Sequence, residues 1–162
     1  MVSDETDALL ASLNSQREHV LGVLEELPGD ALRQPVLPSG WTPLGMVQHL
    51  ALEVERFWFR GAIAGEPMTL TSGDEAWQVP ADVPAAVILG QYRDEIARAN
   101  AIITATPADA MPKWWPDFFE DFPARPLRRT LLHVIAETAT HAGHLDAARE
   151  LIDGEQWIVL TR

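Results

Sequence analysis

Two stretches concentrate the side chains that could do chemistry. In one, His49, Glu53, Arg56 and Arg60 follow at steps of four, three and four; in the other, His133, Glu137, His141 and His144 follow at four, four and three. On a helix turning 100° per residue, each set forms one stripe. With Glu137 at zero, His141 falls at about 40°, His144 near 340° and His133 near 320°. The solvent-type charges fall elsewhere: Arg128 and Asp146 at about 180°, Glu150 near 220° and Arg149 near 120°. The His/Glu stripe is therefore expected to point inward, away from a charged face. At i, i+4, Glu137 and His141 can aim a carboxylate oxygen and an imidazole nitrogen at one point, and His49 on a facing helix could supply a third ligand. Two imidazoles and a carboxylate with one position open suit Zn²⁺ or another divalent ion in an active-type site. The rival is a hydrogen-bonded core network without metal. His49 sits in an apolar segment and needs a partner of some kind, and E-x-x-x-H on a helix is common by chance. Tyr92 and Arg17 are weaker candidates for lining a cavity. Cysteine is absent, which removes disulfides, thiolate metal sites and cysteine nucleophiles together.

The elements that must position these residues are marked out by proline. Pro43, Pro84 and Pro126 stand where long periodic segments begin, at positions where a missing N–H is harmless. Thr42 is suited to cap the helix that Pro43 opens, and Gly154 to stop the last one. The periodicity predicts helices over roughly 4–27, 43–64, 84–106 and 126–153. Leu10, Leu13, Val20, Leu24 and Leu27 form the apolar face of the first, with Arg17 in the gap; Ile88, Tyr92, Ile96, Ala99 and Ile103 form that of the third. Trp157 to Leu160 is too short to make a sheet. The expectation is an all-α, four-helix bundle forming one domain over residues 1–162. Its two long connections, about 65–83 and 107–125, carry Trp77 and a group of aromatics (Trp114, Trp115, Phe118, Phe119, Phe122). These could cover a site or simply plug a bundle end.

Charge and composition exclude several classes. The 162 residues hold 24 acidic and 12 basic side chains, a formal net charge of -12. That field repels phosphate backbones, so no nucleic-acid partner is expected. The only dense basic cluster, Arg125, Arg128 and Arg129 beside Glu120 and Asp121, reads as a solvated helix start. An apolar fraction of 47% suits a folded core. No apolar run is long enough for a membrane span, and the N-terminus has no secretory pattern, so a cytoplasmic protein is expected.

The stretches GWTPLGMVQHLALEVERFWF (Gly40 to Phe59) and LLHVIAETATHAGHLDAARE (Leu131 to Glu150) resemble the two signature regions of the DinB/YfiT-like superfamily. Within it they are similar to the branch related to the N-terminal domain of mycothiol-dependent maleylpyruvate isomerase. The resemblance covers nearly the whole chain. It implies an up-down-down-up four-helix bundle, often dimeric, with a divalent metal, frequently zinc or nickel, near one end. The ligands in that branch correspond to His49, Glu137 and His141; many other members have His at the position of Glu137. His144 corresponds to a residue behind the ligands and is held as a ligand in reserve, while His133 matches less well and reads as structural. Known activities of the superfamily are transfers and isomerisations using low-molecular-weight thiols such as mycothiol, bacillithiol or glutathione.

A divalent metal lowers the pKa of a bound thiol, and a chain without cysteine would take its thiolate from such a cosubstrate. The expected function is thus metal-dependent transfer of a low-molecular-weight thiol to a small electrophile by a cytoplasmic homodimer. Arg56 and Arg60 could hold an anionic group of substrate or thiol, or simply pair with Glu53 or Glu55. Isomerase activity itself is not expected, because a chain ending at Arg162 would lack that enzyme's additional C-terminal domain. The alternatives are a non-catalytic bundle that binds a metal or small ligand, and a structural dimer whose His/Glu stripe is a hydrogen-bonded network.

Overall fold

Thr42 and Pro43 open a helix as their chemistry requires. The Thr42 hydroxyl accepts from the Gly45 N–H at 3.0 Å, and Pro43 occupies the first turn, where its missing N–H removes nothing. Pro84 and Pro126 likewise stand immediately before helices, and Gly154 takes φ 80° to end the last one. The computed structural model describes residues 4–71 and 73–157. In chain order it contains α1 (Asp4–Gly22), a 3-10 turn (Ala31–Arg33), α2 (Pro43–His49), a π-helix (Leu50–Ile63), α3 (Gly73–Trp77), α4 (Ala85–Ala105) and α5 (Leu127–Asp153). The fold is all-α, with no strand among the described residues. Beyond Trp157, the segment expected to be too short for a sheet lies outside them. No helix among them is long and apolar enough to cross a membrane.

α1 packs on α5 and the π-helix on α4, while contacts of α5 with the π-helix and of α1 with α4 close the ring. Leu13, Val20, Leu44, Leu50, Val54, Phe59, Ile103, Leu131 and Leu145 meet in its centre, all fully buried. Each such apolar side chain contributes about 1.5–3 kcal/mol relative to exposure. Arg17 and Tyr92, expected as cavity-lining candidates, belong to this interior. Arg17 makes a two-pronged ion pair with Glu55 (2.7 and 2.6 Å) and donates to Asn14 and Asn100. Both charges are almost fully buried, which is why an arginine can occupy the gap in the apolar face of α1.

Three expectations about the elements are corrected. The single helix expected over 43–64 changes pitch at its second turn: from Leu50 it is π-helical, as in the Ala64 N–H to Phe59 carbonyl bond of 2.9 Å. The first helix stops at Gly22 rather than near Leu27. There the Arg149 guanidinium takes the Val23 and Glu25 carbonyls (both 2.7 Å), and Glu26 turns to φ 65°. Arg149 is therefore buried against the turn that follows α1, not on a solvated face. Consequently the inward face of α5 is the one carrying Leu131, Val134, Thr138, Ala142 and Leu145. The His/Glu stripe lies at the margin of that face, and its ends, His133 and His144, are exposed. Long charged side chains can bury their stems and heads when carbonyls are available, so charge alone misassigned the face.

Candidate metal centre

His49 is the last residue of α2, one position before the pitch changes, and is 9% exposed. Its Nδ1–H donates to the Glu53 carboxylate at 2.7 Å, an i, i+4 contact along the same face. Its Nε2 is buried with no hydrogen-bond partner. Across the interface Glu137, one helical turn before His141 on α5, places Oε1 3.8 Å from that Nε2, too far for a hydrogen bond and suited to an ion held between them. His133, one turn earlier, holds the other oxygen of Glu137 at 3.1 Å. His141 also has a buried ring nitrogen without a partner, Nδ1. One ligand atom from each of His49, Glu137 and His141 lies within 4.8 Å of the others.

The electrostatics suit a cation. Burial opposes ionisation of Glu137, but the His133 and His49 imidazoles more than offset it and hold its carboxyl at about 2. Burial first, then the neighbouring His49 imidazole, pushes His141 down to about 4, with Glu137 pulling weakly the other way. At neutral pH the pair therefore offers a carboxylate and a neutral imidazole, the forms that ligate metals. A buried His49 nitrogen without a partner, 3.8 Å from an ionised carboxylate and with a His141 ring nitrogen close by, fits a divalent ion better than a closed hydrogen-bond network, which would not leave that nitrogen alone.

The first long connection packs on this centre. Trp77, at the end of α3, stacks on the His49 ring (centroids 4.2 Å apart, planes 17° apart) and meets the His141 ring edge-on. α3 can approach so closely because Gly45 has no side chain: a Cβ there would collide with the Trp77 carbonyl. Beside the centre opens a cavity of about 600 Å³. His49 and Glu137 lie in its wall, which is otherwise largely aromatic and aliphatic: Phe57, Trp58, Phe119, Phe122 and Leu52. Of the loop aromatics, Trp77 packs on His49 itself and Phe119 lines the cavity beside it.

The profile of the mycothiol-S-transferase family, a DinB-like family, matches residues 8–154. The chain belongs to this family. A search of curated proteins finds no matching relative. The family match spans every residue of the centre and of the cavity wall, and ties the chain to mycothiol-related transfer.

The other residues singled out in the sequence are dispersed. His144 is exposed and makes ring contacts with Trp41 and His141 (6.3 and 5.7 Å), outside the three-residue cluster. Arg56 lies in the cavity wall, but its guanidinium is engaged by Glu95 of α4 (2.8 and 2.9 Å). Arg60 pairs with Glu66 and with the same Glu95. The pairing with Glu53 or Glu55 weighed for these arginines is thus corrected: Glu53 serves His49 and Glu55 serves Arg17. Glu95, 3% exposed, went unnoticed in the sequence because its neighbour Ile96 fits the apolar period. That Glu53 shares the His49 face was legible in its spacing, but its bond to His49 was not read; nor was the role of Trp77, whose segment has no periodicity to orient it.

Proposed function

We propose that this protein is a metal-dependent thiol S-transferase, joining a mycothiol-type low-molecular-weight thiol to a small electrophile. One observation carries the reading: ligand atoms of two imidazoles and an ionised carboxylate lie within 4.8 Å of one another, with His49 and Glu137 in the wall of an aromatic cavity and the His49 Nε2 buried without a partner. His49, Glu137 and His141 would hold the ion, with Zn²⁺ or Ni²⁺ the expected occupant. When bound, a divalent metal lowers the pKa of a coordinated thiol and makes it nucleophilic at neutral pH. The chain supplies the rest. Glu53 orients His49 through Nδ1 and leaves Nε2 facing the centre. His133 fixes one oxygen of Glu137 and leaves the other facing His49. Trp77 shields the His49 ring from water, and Phe57, Trp58 and Phe119 offer the electrophile an apolar wall. His144 stands behind His141 as a ligand in reserve or a route for a proton. Arg56 at the cavity edge and Arg60 behind it are the weak candidates for holding a substrate anion, which would have to compete with Glu95 and Glu66 for them.

The reading extends to the whole protein: an up-down-down-up four-helix bundle over residues 1–162, kinship with the maleylpyruvate isomerase branch, a cytoplasmic homodimer, and no nucleic-acid or membrane partner. Its test is metal analysis of untagged protein followed by turnover of maleimide and chloro-aromatic electrophiles with mycothiol, bacillithiol and glutathione. The expected result is equimolar metal and thiol-dependent turnover that collapses in His49→Ala and His141→Ala. Equimolar metal without turnover would favour the non-catalytic binding bundle. Protein that takes up neither Zn²⁺ nor Ni²⁺ would reject the metal centre itself.

A further inference from the structure

Behind Trp58, Phe122 and His133, which form part of the wall beside the metal centre, lies a second cavity of about 260 Å³. Its remaining walls include Trp115, Arg125 and Arg129. Its aromatic side is held together by two contacts: Trp115 and Phe122 stack with planes 17° apart, and the Trp115 indole N–H donates to the Phe122 carbonyl at 2.9 Å. The Arg125 guanidinium lies over the Phe122 ring, 4.8 Å from its centroid, which keeps the charge at the cavity rim.

The charged side chains lining this cavity, Arg125 and Arg129, are both basic. Carboxylates outnumber basic side chains two to one, 24 to 12. Arg17, Arg56, Arg60, Arg128 and Arg149 have carboxylate partners, whereas Arg33, Arg93, Arg98 and Lys113, none of which lines the cavity, have no such partner among the described residues. Arg125 and Arg129 have none among the described residues, and neither Glu120 nor Asp121, close by in sequence, pairs with them. Two uncompensated guanidiniums at the rim of an aromatic-walled cavity complement a planar anion: the cations take the negative group, and the indole and phenyl faces take a ring.

We infer that this second cavity is a binding site for an aryl carboxylate, with the carboxylate on Arg125 and Arg129 and the ring against Trp115 and Phe122. This holds whether or not the neighbouring centre catalyses thiol transfer, so the test uses neither thiol nor turnover. Calorimetric titration at low salt compares 2-naphthoate with its neutral isostere 2-naphthamide, on the wild-type chain and on an Arg125→Gln, Arg129→Gln double variant. Both arginines are exposed, and circular dichroism checks that the variant keeps its helices. The wild-type chain should bind the acid about tenfold more tightly than the amide, the worth of one charge-assisted hydrogen bond. The double variant should bind the two alike, with amide affinity unchanged. Equal binding of acid and amide to the wild-type chain would overturn the inference. So would a preference that survives in the double variant, since Arg56 would then be the cation responsible. Inorganic phosphate binding as tightly as 2-naphthoate would show that the aromatic wall contributes nothing, and would overturn it too.

Discussion

His49 has one nitrogen committed to Glu53 and the other facing Glu137 and His141. If that division of labour orients a ligand, Glu53→Gln should weaken Zn²⁺ affinity by about 10–100-fold while leaving the stoichiometry at saturation unchanged. Competition with a chromophoric chelator measures both; unchanged affinity would mean that Glu53 merely solvates the ring. Tyr92 is a different kind of residue. It is the only tyrosine, fully buried, and its hydroxyl has no partner. Burial first, then the Glu55 carboxylate, raises its pKa well above 10, with Arg17 opposing. The unfolded chain loses this proton near pH 10 and the folded chain does not, so the associated stability is intact below pH 10 and declines as pH rises above it. Urea denaturation at pH 8 and 10.5 should show that decline, and Tyr92→Phe should remove it.

Between elements, the critical contact is α3 on α2. Gly45→Ala would drive its Cβ into the Trp77 carbonyl, and should destabilise the fold by about 1–3 kcal/mol and loosen the stack of Trp77 on His49. A drop in thermal midpoint together with weakened metal affinity would register both; a midpoint unchanged within error would contradict the packing. The π-helix is tied to α1 by the Arg17–Glu55 pair. Removing one partner leaves a buried charge uncompensated, so Glu55→Gln should cost about 3–5 kcal/mol, whereas an Arg17→Met, Glu55→Leu double variant should lose far less. Denaturant midpoints for the single and double variants decide between an ion pair that stabilises and one that is merely satisfied.

For the whole molecule, a metal held by α2 and α5 clamps two elements that meet only through packing and side chains. Saturation with Zn²⁺ at a hundred times its Kd should raise the unfolding free energy by about 2.7 kcal/mol. A chelator should reverse the gain, and His141→Ala should show none, as differential scanning calorimetry would report. The net charge of -12 adds long-range attraction for a cation approaching this centre, so association should slow as salt is raised.

The helix starts at Pro43, Pro84 and Pro126, the stop at Gly154, and the candidacy of His49, Glu137 and His141 follow from the sequence by itself. Each rests on local chemistry: a ring that cannot donate, a glycine at positive φ, and residues three or four apart that share a face. Other features were decided only when distant segments met. Arg149 looked solvated because its charge is visible in the sequence, while the Val23 and Glu25 carbonyls that receive it lie more than a hundred residues away. Glu95 drew no notice in the sequence, and only the fold brings Arg56 and Arg60 onto it. Trp77 closed over His49 through a segment without periodicity, and Arg125 and Arg129 stayed unpaired although carboxylates stand nearby in the chain. Periodicity orients a side chain about its own helix axis. Which partner satisfies a buried charge, and which charge is left without one, depends on the packing of whole elements.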